Sequence, residues 1–134
     1  MSAETTVDGV KVLTVDDQEV FRRVARELVE ATDGFAWAGE AASGREALER
    51  VAEGHPDLVL LDVRMPGMDG IETAQRLLAQ DPDIVIVLVS LESIVDLPSA
   101  TASVGAAAHL RKQELSPRTL QELWAAHGPG SVRG

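Results

Sequence analysis

Between residues 84 and 89 the chain is apolar at every position, with Ile, Val and Leu alone. So short a run suits a strand better than a helix, and a strand without polar positions must be covered on both faces. Two further runs rich in branched residues, Val10–Val15 and residues 57–61, repeat the signal. Residues 35–39 and 106–110 are weaker strand candidates, placed mainly by their spacing. Between these runs the apolar period becomes helical. Val20, Phe21, Val24, Ala25 and Leu28 form one stripe, Ala47, Leu48 and Val51 a second, and Ile71, Ala74, Leu77 and Leu78 a third.

Helix start signals agree with that alternation. Ser43 with Glu46 and Asp69 with Glu72 have capping-box spacing, and Ser116 precedes Pro117 at a first helical position. Strand and helix therefore alternate along the chain, which predicts an α/β fold: a doubly wound, five-stranded, mostly parallel sheet with helices on both faces. The fourth helix is expected within residues 93–104, where Pro98 forces it to start late, kink or be short. With 134 residues and no linker or repeat, the expectation is a single domain over 1–134, its core at about 10–127 and its ends flexible.

Composition narrows the function. Twelve basic against 22 acidic residues give a formal net charge of −10, which argues against nucleic-acid binding through this domain. The absence of cysteine excludes disulfides, Cys-ligated zinc and thiol nucleophiles. No apolar run is long enough to span a bilayer, and the N-terminal residues lack the pattern of a secretory signal. The expectation is a cytoplasmic protein with no membrane association.

In an open α/β sheet, ligands bind beyond the carboxyl ends of the strands. The first strand delivers Asp16 and Asp17 there, the third Asp62, the fourth Ser90 and the fifth Lys112. Singly, each has a plain structural reading: Asp17 as a helix N-cap, Ser90 as a turn residue, Lys112 as a solvated charge. Asp62 resists such a reading, because it closes an apolar strand where burial is costly. Together they form a cluster of carboxylates that would repel one another unless a hard cation such as Mg²⁺ joined them. His55 and His127 fall at expected helix ends and carry little weight. Met65 and Met68 read as packing residues, and Trp124 with Leu120 and Leu123 as the face that seats the last helix on the sheet.

On residues 12–17, 60–70, 89–90 and 105–112 the chain resembles the receiver domain of two-component response regulators. The run Asp62-Val-Arg-Met-Pro-Gly-Met-Asp-Gly70 is the most specific part, and Asp17, Asp62, Ser90 and Lys112 succeed one another at that family's intervals. The resemblance implies a flavodoxin-like (βα)5 fold with Asp62 as the phosphoacceptor, attacking phosphorus in line. It implies Mg²⁺ held by Asp16, Asp17, Asp62 and the backbone carbonyl of Arg64, with Ser90 and Lys112 binding the phosphoryl oxygens. Gly70 lets the chain turn into the third helix. The implied donor is a histidine kinase or phosphotransfer protein. Output partners or a second copy would be met through the 93–127 face.

Two positions depart from the family pattern. His109 stands where the family commonly places an aromatic switch residue that rotates inward on phosphorylation, and imidazole titrates near neutrality. Leu91 replaces the usual small residue after the Ser or Thr, and is expected to narrow access to Asp62. These two, with the weak fourth helix, motivate an alternative: a phospho-independent pseudo-receiver interaction module. Residues 110–117 resemble receivers that precede a helix-turn-helix, so a further alternative is the N-terminal receiver fragment of a DNA-binding transcription regulator. An enzyme on this fold, such as a phosphohydrolase, lacks support, because Arg64 stands where a second acid would be needed. The chain is read as a phosphoacceptor that assists its own phosphorylation and dephosphorylation.

Overall fold

A computed structural model describes residues 9–65, 67–91 and 105–128. Five strands, β1 (Val10–Val15), β2 (Phe35–Ala41), β3 (Leu58–Asp62), β4 (Val85–Ser90) and β5 (Ala108–Arg111), form one sheet in the order β2-β1-β3-β4-β5. All neighbouring pairs are parallel. Four helices accompany them among the described residues: α1 (Glu19–Glu30), α2 (Gly44–Gly54), α3 (Gly70–Gln80) and α4 (Pro117–His127). The fourth helix expected within 93–104 lies outside the described residues.

Side chains alternate along the central strands, as the pleat requires. Leu58 and Leu60 of β3 with Val85, Val87 and Val89 of β4 pack beneath α1 and α4, joined by Val29, Leu120 and Trp124. Val59, Leu61, Ile86 and Leu88 point the other way, into a core closed by Ala47 and Val51 of α2 and Ala74 and Leu77 of α3. That two-sided burial explains why β4 tolerates no polar residue before Ser90. Edge strand β2 is half-exposed and carries a bulge, its register slipping between the Val12–Trp37 and Leu13–Gly39 pairs.

The caps form where expected. Ser43 Oγ accepts from Glu46 N–H, Asp69 Oδ1 from Glu72 N–H, and Ser116 Oγ from Thr119 N–H. Glu46 reaches back to the N–H of Ala42, one residue before the cap. Strand limits differ by a residue or two: β2 runs on to Ala41, β4 includes Ser90, and β5 starts at Ala108.

The first helix corrects the expected stripe. Its buried residues are Ala25 and Val29, with Phe21 and Leu28 half-buried, whereas Val20 and Val24 are 68% and 52% exposed. The core-facing stripe is rotated about the helix axis. Val20 and Val24, one turn apart, form a separate apolar ridge on the side that faces a cavity.

Candidate functional site

The parallel order sends the carboxyl ends of β1, β3 and β4 to one edge, and there the chain changes from apolar to polar. Asp16 follows β1 and is fully buried. Its N–H donates to Ala41 O at 3.0 Å, and its carbonyl accepts from Arg22 Nη1 at 2.8 Å. Asp16 Oδ1 accepts from Gln18 N–H at 2.8 Å, while Oδ2 lies 2.6 Å from Lys112 Nζ. Gln18, not Asp17, is the N-cap residue of α1, and its side chain makes no capping bond. Asp17 is exposed and turned to the same cluster, so the helix-cap reading of Asp17 is set aside.

Asp62 ends β3, buried and close to both other carboxylates. Asp16, Asp17 and Asp62 each offer an oxygen, and these oxygens all lie within 4.8 Å of one another. Asp62 Oδ1 accepts from the N–H of Arg64 at 3.3 Å. Burial pushes the Asp62 carboxyl up to about 6, and the charge of Asp16 adds to the rise; Lys112 and the Arg64 N–H oppose it. The loop beyond Asp62 is held by Gly70, whose N–H donates to Val63 O at 2.8 Å. A Cβ at Gly70 would run into the carbonyl oxygen of Asp62 and the Cα of Val63, so only glycine admits this approach. Met65 is buried in the core beneath α2 and α3, and Met68 packs beside Gly44.

Lys112 opens a short 3₁₀ turn (Lys112–Glu114) directly after β5. Its Nζ stands 4.4 Å from the centre of the Phe21 ring, so Asp16 and an aromatic face hold the ammonium together. Ser90, almost fully buried at the end of β4, has its Oγ 3.1 Å from His109 Nε2. His109 pairs in register with Leu88, two residues before Ser90, which sets its ring beside the hydroxyl. Its Nδ1 is buried without a hydrogen-bond partner among the described residues. Burial lowers the His109 pKa, and the charge of Glu114 works against that.

These groups surround a cavity of about 740 Å³ whose walls include Asp17, Asp62, Arg64, Ser90 and Lys112. Its other side is apolar: Val20, Phe21, Val24 and Leu91, the last 71% exposed. Leu91 thus stands at the cavity margin. His55 caps α2 in a left-handed conformation and His127 ends α4; neither lines this cavity. Sequence reasoning missed Phe21 and Arg22 as supports of the cluster. Phe21 had a signal, an aromatic side chain one helical turn past Asp17, but it read as a core residue.

The site can hold a divalent cation, present a buried carboxylate as a nucleophile, and offer an ammonium and a hydroxyl to anionic oxygens. Comparison with known proteins points the same way. The family described as response regulator receiver domain matches residues 12–124. Response regulator GacA of Pseudomonas syringae pv. syringae (strain B728a) is 37% identical over 103 residues, covering 77% of this chain and 48% of that protein. The transcriptional regulatory protein YhcZ of Bacillus subtilis (strain 168) is 34% identical over 119 residues, 89% of this chain and 55% of that one. The chain thus spans about half the length of these curated relatives. Among solved structures, chemotaxis protein CheY4 of Vibrio cholerae superposes with a TM-score of 0.77 at 27% identity, covering 89% of this chain and 98% of that one. A LuxR-family two-component response regulator from Aurantimonas sp. SI85-9A1 gives 0.77 at 27% identity, with 86% and 81% covered.

Proposed function

The chain belongs to the response regulator receiver domain family, and from that premise we propose that it is a phosphorylation-dependent signalling switch with Asp62 as its phosphoacceptor. The observation that carries this reading is a buried carboxylate at the end of β3 whose oxygens lie close to those of Asp16 and Asp17, and which shares one cavity with Asp17, the Ser90 hydroxyl and the Lys112 ammonium. The donor is a phosphohistidine on a histidine kinase or phosphotransfer protein. An Asp62 carboxylate oxygen attacks phosphorus, the new O–P bond forms as the P–N bond breaks, and that electron pair returns to the imidazole nitrogen. With the Asp62 pKa near 6, the nucleophile is mostly ionised at neutral pH.

The donor set suits Mg²⁺. Three carboxylates with convergent oxygens describe a site rich in negative charge, and a hard cation takes oxygen ligands. Asp16, Asp17 and Asp62, with the carbonyl of Arg64, would hold it. When bound, Mg²⁺ supplies charge that offsets the build-up on the transferring phosphoryl oxygens. Lys112 and Ser90 bind those oxygens in the product, and Phe21 and Asp16 keep the ammonium in place beforehand.

The remainder of the reading follows the family. The protein acts in the cytoplasm; among the described residues no helix is long and apolar enough to cross a membrane. Its output goes to a protein partner or a second copy through residues 93–127, of which 105–127 are among the described ones. Mass spectrometry after incubation with Mg²⁺ and acetyl phosphate tests the central claim. One phosphoryl group is expected on the wild type and none on Asp62→Asn. Unmodified wild-type protein would sink the reading in favour of a phospho-independent interaction module.

A further inference from the structure

The hydrogen bond between Ser90 and His109 has a direction that the surroundings decide. At neutral pH the imidazole carries one N–H, because burial disfavours the charged ring. Two tautomers are open to it. With the proton on Nδ1, a buried N–H would face no acceptor among the described residues, and orphaned buried N–H groups are rarer than under-satisfied acceptors. With the proton on Nε2, only a bare lone pair is left in the dry position. Nε2–H then donates to Ser90 Oγ across the observed 3.1 Å.

We infer that His109 is a positioning residue for Ser90: its Nε2–H donates to Ser90 Oγ and thereby fixes that oxygen where it borders the cavity shared with Asp62. This rests on the phosphoacceptor reading of Asp62, because the group that Ser90 serves is a phosphoryl oxygen on that residue. A serine hydroxyl has one proton and two lone pairs. With one lone pair occupied by the imidazole donor, the hydroxyl is restrained from that side. The ring is held by its place on β5, opposite Leu88, so the orientation costs no ordering at the moment of transfer. His109 touches neither the nucleophile nor the incoming group; it acts through Ser90.

The rate of acetyl phosphate-driven phosphorylation with Mg²⁺, followed by mass spectrometry, reads the effect. His109→Phe keeps a ring and removes the donor, and should slow phosphorylation by about 3- to 10-fold, the range that a single hydrogen bond supplies. His109→Gln carries an amide N–H₂ at the reach of Nε2 and should restore the rate to within about twofold of wild type. In a Ser90→Ala background, His109→Phe should cost nothing further, because its route is already gone. A His109→Phe rate equal to wild type, or an undiminished loss in the Ser90→Ala background, overturns the inference. Nitrogen NMR of the wild type needs no variant and stands even where His109→Phe fails to fold: the Nε2–H tautomer is expected, and the Nδ1–H tautomer overturns the inference. Wild-type protein that takes up no phosphate overturns the phosphoacceptor reading and the inference together, an outcome distinct from a phosphorylated wild type with an indifferent His109.

Discussion

Lys112 Nζ sits 2.6 Å from Asp16 Oδ2 with the lysine side chain 10% exposed and the aspartate side chain fully buried. The ammonium is thus committed to Asp16, yet its charge also holds down the pKa of Asp62. One cation serves two carboxylates, with the Phe21 ring closing its third side.

Lys112→Ala leaves a buried Asp16 carboxylate without its partner. Breaking such a pair by removing one member is strongly destabilising, here on the order of 3 kcal/mol at pH 7.5. The loss should shrink at pH 5, where Asp62 takes up a proton and the remaining repulsion falls. Urea denaturation at the two pH values reads this. Equal stability of variant and wild type at pH 7.5 would mean that water, not Lys112, satisfies Asp16.

Asp62 gives a pH dependence of defined sign. Its folded pKa of about 6 lies above the ordinary 3.8, so the folded state binds the proton more tightly than the unfolded chain does. This group therefore makes stability fall as pH rises from about 4 to about 6, after which its effect is constant. Asp62→Asn removes the penalty and should be the more stable protein at pH 7.5, by on the order of 2 kcal/mol without Mg²⁺. The gap should close near pH 4. Denaturation curves showing the same gap at both pH values would contradict the raised pKa.

How far this site was legible in the sequence depends on the residue. A strand covered on both faces must be apolar throughout, so β3 and β4 stand out, and the first polar residue after each marks a position at the carboxyl edge. That is why Asp16, Asp17, Asp62, Ser90 and Lys112 come together in the structure as the sequence suggested. Contacts set by helix rotation or strand register were not legible. Val20 and Val24 are apolar without being core, because they line a cavity wall, and apolar character alone does not distinguish the two. The Ser90–His109 bond depends on His109 pairing with Leu88, and no local pattern encodes that register. The family's aromatic switch suggested a ring that rotates inward on phosphorylation, and gave no sign that the His109 ring would be hydrogen-bonded to Ser90.

Mg²⁺ should raise the melting temperature, since a ligand that binds only the folded state stabilises it. The effect should be larger at pH 7.5 than at pH 5, where a proton competes for Asp62. Replacing both Asp16 and Asp17 with Asn should remove the shift. A shift that survives both replacements would place the metal elsewhere on this acidic surface.

Gly70→Ala tests how closely the third helix must approach the nucleophile. The new methyl would meet the carbonyl oxygen of Asp62 and the Cα of Val63, both backbone atoms that cannot swing away as a flexible side chain would. Relief requires moving the start of α3 outward, which stretches the Gly70 N–H to Val63 O bond, or moving the end of β3, which displaces Asp62. The first route costs mainly stability, about 1–3 kcal/mol as for other overpacked sites. The second also disturbs Asp62 Oδ1 where it accepts from Arg64 N–H, and with it the convergence of the three carboxylates. The two routes separate experimentally. A lowered melting temperature with an unchanged Mg²⁺-dependent shift means that the helix has moved; a lowered melting temperature with that shift weakened means that the carboxylate has. The β3 strand is hydrogen-bonded on both sides, whereas α3 rests on side-chain packing, so the helix should give way and the Mg²⁺ response should survive. A variant as stable as wild type would show that the approach of Gly70 to Asp62 is looser than its geometry states.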